Sequence, residues 1–320
     1  MSPIVRRAAI GLGVIACVLF ARRADADCND VAAGDASFGT ATSFAVRTTQ
    51  SNTSTTNAGL NCSGTLLTVF QSNDHIFARL QSANGGMLGP GGDVIPYSVF
   101  ADSARTVPIA FGVQFDYVSE TLLNLLGLFA GPSTNLPMFF TTVTGANVAA
   151  GSYTDTITIQ WEWSYCEGIG LLGLCIGLDT GSGSSSFDVT MSVDNACQIT
   201  STPDVHLGQA PTASQFAPTG QSVAVVCTKN LSFYTVGLSA GDHFSGGHRR
   251  MEDGGAFLEY DIFRPGGGVW GNVGSERVAN EEPGHGVDAE SFEYTVDVYD
   301  EQPTPPVGVY TDVVVVDVSF

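Results

Sequence analysis

Seven cysteines, five histidines and 32 acidic residues are the side chains of this 320-residue chain that could carry redox, nucleophilic, metal or acid–base chemistry. Their spacing supports only disulfide formation. His75, His206, His243, His248 and His285 never stand at metal-ligand spacing with a second ligand pair. No Cys-x-x-Cys, Gly-x-Ser-x-Gly elbow or phosphate-cradling glycine loop occurs. The acids are scattered, and at a net charge of −20 scattered acids read as a solvated face. Glu281-Glu282 and Asp300-Glu301 read as solubilising loop charges. The expectation is a protein that is not an enzyme, with no cofactor and no metal.

The cysteines suit an exported chain. Arg6 and Arg7 precede an uncharged run from Ala8 to Phe20, and Ala24-Asp25-Ala26 places small residues at both specificity positions of an A-x-A site. Residues 1–26 therefore read as a secretory signal peptide cut before Asp27. The apolar run spans about 20 Å as helix against a hydrocarbon core of about 30 Å, too short for a membrane anchor. Cleavage removes Cys17 and leaves Cys28, Cys62, Cys166, Cys175, Cys197 and Cys227, an even set open to several disulfide pairings. It also leaves 8 basic and 31 acidic residues, a net −23 that argues against nucleic acid and against an anionic lipid surface.

The elements that must position these cysteines are strands. With 43% hydrophobic residues the chain has core to bury, lysine occurs only at Lys229, and Thr, Val, Ser, Gly and Phe are common. Laid on itself, the sequence repeats. Cys28 and Cys197 are each followed eleven residues later by a glycine, in Ser37-Phe38-Gly39 and His206-Leu207-Gly208. Cys62 and Cys227 come next, then Tyr97-Ser98-Val99-Phe100 and Tyr260-Asp261-Ile262-Phe263. Gly151-Ser152-Tyr153-Thr154-Asp155 matches Gly308-Val309-Tyr310-Thr311-Asp312. Four landmarks in one order predict two related β-sandwich domains, 27–196 and 197–320.

After the last landmark Ile157, Ile159, Trp161 and Trp163 alternate with polar residues, and the second copy keeps the phase with Val314, Val316, Val318 and Phe320. The first copy goes on to Phe187, Val189, Met191 and Val193, one further amphipathic strand for which the second copy has no counterpart. The second sandwich is therefore expected to lack its last strand and to expose an apolar groove. The alternative is that 285–300, with Phe292, Tyr294, Val296 and Val298, already completes it.

The first cysteine with its Leu-Gly or Phe-Gly, Val226-Cys227-Thr228, Arg250-Met251, Leu258-Glu259-Tyr260, Trp270-Gly271 and the terminal Gly-x-Tyr-x-Asp strand resemble the spore coat protein U-like pilins of archaic, Csu-type chaperone-usher pili. Residues 28–196, with Asn61-Cys62-Ser63-Gly64 and Trp161-Glu162-Trp163, resemble the extra N-terminal domain of the two-domain tip adhesins of those pili. The resemblance implies an all-β chain of two immunoglobulin-like sandwiches, the second incomplete and completed by a donor strand from a periplasmic chaperone and then from the next subunit. It implies passage through an outer-membrane usher to the pilus tip at the cell surface. Val314, Val316, Val318 and Phe320 would line the acceptor groove. Only Asp27 precedes Cys28 after the expected cleavage, too little for a donor strand of about ten residues, which also suits a tip position. The favoured pairings are Cys28 with Cys62, Cys166 with Cys175 and Cys197 with Cys227.

Three stretches carry unusual apolar or glycine content: 85–92 with Met87 and Leu88, 121–137 with Leu122, Leu123, Leu125, Leu126, Leu128 and Phe129, and 167–178 with Ile169, Leu171, Leu172, Leu174 and Ile176. These read as loops at one end of the first sandwich that bind hydrophobic or abiotic surfaces. The 121–129 run also fits a short buried helix. A glycan-binding adhesin using Trp161, Trp163 and Tyr165, and a purely structural coat or fibre protein, are the competing readings, although the strand phase makes Trp161 and Trp163 core residues.

Overall fold

The computed structural model describes residues 27–63, 74–118, 133–166, 170–171, 174–175 and 178–320, so the signal-peptide reading of residues 1–26 lies outside the described residues. The first half opens with β1 (Asp27–Asp30), β2 (Ala36–Thr42), the short helix α1 (Ser43–Thr48), β3 (Asn52–Thr55) and β4 (Leu60–Ser63). It continues through β5 (His75–Ser82), β6 (Met87–Leu88), β7 (Val94–Ile95), β8 (Tyr97–Phe100), β9 (Pro108–Ile109) and β10 (Gln114–Asp116). It ends with β11 (Ser133–Asn135), β12 (Met138–Thr142), β13 (Gly151–Cys166), β14 (Gly170–Leu171), β15 (Leu174–Cys175) and β16 (Leu178–Asp194).

β13 and β16 form one long hairpin, paired antiparallel from Gly151↔Val193 to Cys166↔Leu178. Ile157, Ile159, Trp161 and Trp163 of β13 and Phe187, Val189, Met191 and Val193 of β16 are all buried. The period-two alternation turns these faces inward, as the sequence predicts. The hairpin anchors the sheet β10-β5-β13-β16-β2, in which β2 pairs with β16 in parallel, and this packs on β3-β12-β8-β9. Near Gly39 (φ 72°) β2 carries a bulge between Ser37, opposite Thr190, and Thr40, opposite Ser192. Its repeat partner Gly208 has φ 80°, which explains why glycine recurs there. A third sheet, β1-β4-β11, holds the Cys28–Cys62 disulfide between directly opposed residues.

The second half contains β17 (Cys197–Ser201), β18 (Thr219–Cys227), β19 (Thr235–Leu238), β20 (Arg249–Asp253), β21 (Ala256–Phe263), β22 (Val278–Ala279), β23 (Glu290–Val298) and β24 (Val316–Ser319). A five-stranded sheet, β17-β18-β23-β21-β20, faces a three-stranded one, β22-β19-β24. Cys197 and Cys227 are opposed in register and disulfide-bonded. Each of the two bridges closes a loop of 34 or 30 residues, worth about 4 kcal/mol in the loop-entropy account. Arg249, 2% exposed, ties the two sheets together. From β20 it donates to the carbonyls of Leu238, Ser239 and Trp270 and pairs with the buried Asp261 at 3.2 Å. The buried side chains form two cores, one from Cys28 to Val193 and one from Ala213 to Val298.

Each half is stitched internally by equivalent parts. The Tyr97 hydroxyl donates to Asp155, and the Tyr260 hydroxyl donates to Asp312. Asp155 also accepts from Ser82 Oγ and the Asn84 amide, while Asp312 accepts from the Asp242 and Val313 amides. The expectation that acids are uniformly solvated fails here, because Asp102, Asp155 and Asp261 are buried. At Asp102 burial opposes the charge, but the Val107 and Thr106 amides and the Thr106 hydroxyl overcome it and hold the carboxyl below the usual range.

Candidate functional site

Two regions carry apolar surface over which none of the described residues packs, and strands lead to both. At the first, β13 and β16 run to the rungs Tyr165↔Asp179 and Cys166↔Leu178, where Leu178 is 58% exposed. The hairpin is glycine- and serine-rich there for a packing reason. A side chain at Gly181 would strike the Trp163 ring, and one at Gly183 would strike the Asp30 carboxylate. Asp179 accepts from the Trp163 indole and from the Cys28 amide, each at 3.1 Å, which binds the hairpin to β1.

Further elements end beside it. His75, at the start of β5, is opposite Ser164, Tyr117 donates its amide to the Ile76 carbonyl, and Ser63 is opposite Ser133. The described residues flanking 64–73, 119–132 and the hairpin end thus share one end of the first half. Leu122, Leu123, Leu125, Leu126, Leu128, Phe129, Ile169, Leu172 and Ile176 lie outside the described residues. Leu171 is the cross-strand partner of Leu174 in the β14–β15 pair, and Gly170 that of Cys175. The side chains of Leu171, Leu174, Cys166 and Cys175 lie outside those described, and with them the expected Cys166–Cys175 bridge.

Two sequence expectations are corrected. The stretch 85–92 is not at this end, because Leu88 pairs with Thr154, about 40 Å down β13 from Cys166 at strand rise. Met87 is fully buried in the first core and cannot bind a surface, whereas Leu88 is 41% exposed. The glycines of this stretch allow close approach rather than protrusion: a side chain at Gly89 would meet the Tyr153 ring at 2.3 Å. The stretch 121–137 is shorter as an exposed candidate too, since 133–135 is strand β11 and Leu136 is buried. Trp161 and Trp163 are buried as the strand phase predicts, which removes the sugar platform they would have supplied.

The second region is β24. Its Val316 is opposite Leu238 and Val318 opposite Val236, so it pairs with β19 on one side, and among the described residues it has no strand on the other. Val314, Val316 and Val318 are partly buried against the second core, and so are Val205 and Leu207. The strand is shorter than the alternation predicts. It covers Val316–Ser319, Val313 and Val315 face outward at 61% exposure each, and Phe320, one residue past the strand, is 59% exposed. The stretch 285–300 does not fill the gap, because β23 lies in the middle of the opposite sheet between β18 and β21.

The first half shows what belongs in that gap. By the repeat landmarks β13 corresponds to β24, β5 to β19, and β2 to the segment around Val205 and Leu207. In the first half β16 fills the space between β13 and β2. Sequence reading missed the buried Asp–Tyr anchors, and only the matching positions of Tyr97 and Asp155 with Tyr260 and Asp312 in the repeat could have suggested them.

Among the described residues no three His, Cys, Asp or Glu side chains gather as a metal site, and no helix is long and apolar enough to cross a membrane. His248 bonds Asp261 at 3.0 Å, and His75 stacks on Phe77.

Comparison with known proteins agrees with this architecture. The chain is similar over 92% of its length, and over the whole of the other, to a subunit in the CsuC–CsuE chaperone–tip adhesion subunit pre-assembly complex from archaic chaperone-usher Csu pili of Acinetobacter baumannii, at 25% identity and a TM-score of 0.61. The P pilus rod subunit PapA is 16% identical, with a TM-score of 0.31 over 38% of this chain and 97% of its own, too distant to carry weight. CfaE, the adhesive subunit of CFA/I fimbria of enterotoxigenic Escherichia coli, is equally distant at 10% identity and a TM-score of 0.31, covering 80% of this chain and 85% of its own. No curated protein matches the chain. The matched family and the Csu relative are structural or adhesive pilus components, not enzymes. With the Spore Coat Protein U domain model matching residues 15–160 and 184–317, across both copies of the repeat, the chain belongs to the Spore Coat Protein U domain family.

Proposed function

We propose that this chain is the tip subunit of a chaperone-usher pilus, exported through the periplasm to the cell surface, that attaches cells to hydrophobic or abiotic surfaces. A first unit over 27–196 makes the contact and a second over 197–320 joins the fibre. The observation that carries the assembly half is the open side of β24, set against the first half where β16 occupies the equivalent place. A donated strand there would bury about four apolar side chains, on the order of 6 to 12 kcal/mol before ordering costs. That is comparable to the stability of a whole domain. The partners on this reading are a periplasmic chaperone, an outer-membrane usher and the next subunit. The likeness to a tip subunit crystallised with its chaperone supports it.

The adhesive half rests on the end of the first unit where the β13–β16 hairpin ends. The stretches 119–132 and 167–178 both attach there, rich in Leu, Ile and Phe and without a basic residue. Each large apolar side chain moved from water onto a surface contributes roughly 1.5 to 3 kcal/mol, so a few suffice without a specific ligand. Replacing Leu171, Leu172 and Leu174 by Ser in the full chain should abolish attachment to plastic while fibres still assemble. Attachment unchanged by the triple replacement would reject the adhesive half alone.

A further inference from the structure

The two halves meet at more than their linker. β16 ends at Asp194 and β17 begins at Cys197, leaving Asn195 and Ala196 between them. Ala196 is itself pinned, donating its amide to Thr228 Oγ1 at 2.7 Å and accepting the Thr228 amide at 2.9 Å. Thr228 is fully buried, and its hydroxyl oxygen lies 2.7 Å from that of Ser43, the first residue of α1. One turn further along α1, Arg47 donates to the Gly286 carbonyl.

A second seam lies beside this one. Lys229, the only lysine of the chain, places Nζ 2.5 Å from Asp93 Oδ1. The other oxygen of Asp93 accepts the Ala149 amide at 2.9 Å, and Ala149 forms a parallel β-bridge with Lys229. A third contact runs from Asn147 Nδ2 to the His285 carbonyl at 2.9 Å, and a side chain at Gly286 would overlap Asn147. Three separated segments of the first half therefore grip two loops of the second.

A two-residue linker alone would leave a hinge. Contacts from three separated segments oppose that hinge, since opening the joint would break the ion pair, the bridge and the side-chain bonds together. We propose that the two halves are one stiff body, locked through Asp93–Lys229, Ser43–Thr228 and Arg47–Gly286, and that load passing between them runs through this joint rather than through Asn195–Ala196. The joint sits at the foot of β13, since Gly151 follows Ala149 by two residues. Pull on the second half thus reaches β13, whose far end at Cys166 lies opposite the exposed Leu178 of β16. This holds whatever surface the chain binds. The stretch 85–92, whose sequence reads as a binding loop, leads straight into Asp93 and serves the joint.

Spin labels on Val113→Cys and Val273→Cys, both exposed and one in each half, report the distance between halves in the full chain. The expected result is a single narrow distance peak, and a broad or multiple distribution overturns the proposal. Asp93→Asn with Lys229→Met should broaden that peak, and an unchanged width removes the ion pair from the lock. If the double variant does not fold, Arg47→Ala gives the same reading from the Gly286 contact.

Discussion

The hydroxyl of Tyr260 donates to Asp312 Oδ2 at 2.7 Å, and the hydroxyl of Tyr97 makes the same bond to Asp155 at 2.6 Å. In both halves a tyrosine of one sheet holds an aspartate of the opposite layer, Asp155 within β13 and Asp312 four residues ahead of β24. A hydrogen bond to a charged acceptor contributes about 1.5 to 3 kcal/mol. Tyr97→Phe should therefore lower the unfolding free energy by roughly that amount, measured by urea titration of the full chain. An unchanged midpoint would show that Ser82 and Asn84 hold Asp155 without it.

Alkali should loosen the molecule through the same residues. Burial, followed by the bond to the carboxylate, raises Tyr97 and Tyr260 well above the ordinary tyrosine value. Burial also raises Tyr153 to about 12. For a group whose folded value is raised, the stability is fully present below the unfolded value of about 10 and is lost as pH climbs through the folded value. Thermal midpoints should be flat up to about pH 10 and fall beyond it. Tyrosinate absorbance near pH 10 that disappears in Tyr97→Phe or Tyr260→Phe would contradict the burial.

Met87 and Leu88 should part company. Met87→Ser removes a fully buried side chain and should destabilise by about 2 to 5 kcal/mol. Leu88→Ser, at an exposed site, should change stability by less than about 0.5 kcal/mol. If Met87→Ser left stability untouched while weakening attachment, 85–92 would return to the binding surface.

Val316→Asp with Val318→Asp should abolish capture by a co-expressed chaperone and leave the chain aggregated. A charge in an apolar groove keeps its desolvation penalty with no partner to offset it. Co-purification at the unsubstituted level would mean that β24 does not line the acceptor groove.

Gly89→Ala should cost more than an ordinary surface change, because the added carbon falls 2.3 Å from the Tyr153 ring, which has no room to retreat in the core. Overpacking of this kind costs about 1 to 3 kcal/mol. A neutral result by calorimetry would place slack at the foot of β13.

The strands were legible wherever one face is buried. The alternation at Ile157–Trp163 and Phe187–Val193, the repeat landmarks and the Cys28–Cys62 and Cys197–Cys227 pairs all stand as read. Glycine-rich segments were not legible, because glycine marks both a projecting loop and a backbone pressed against a ring, and 85–92 is the second kind. The buried carboxylates Asp102, Asp155 and Asp261 look in sequence like any surface acid, since what distinguishes them is a set of donors brought in by other strands. The terminal alternation gave the right phase at Val314, Val316 and Val318 but ran past the ladder at Phe320, where among the described residues no partner strand turns the side chain inward.

The parallel pairing of β2 with β16 sets a timetable. Ala36 is opposite Val189, and Ser37 opposite Thr190. A chain made from its amino end holds β2 long before β16 exists. Contacts so distant in sequence are slow to close. Until residue 194 has reached the compartment where the chain folds, β2 and β13 each lack the neighbour that β16 supplies, the same lack that β24 shows on one side among the described residues.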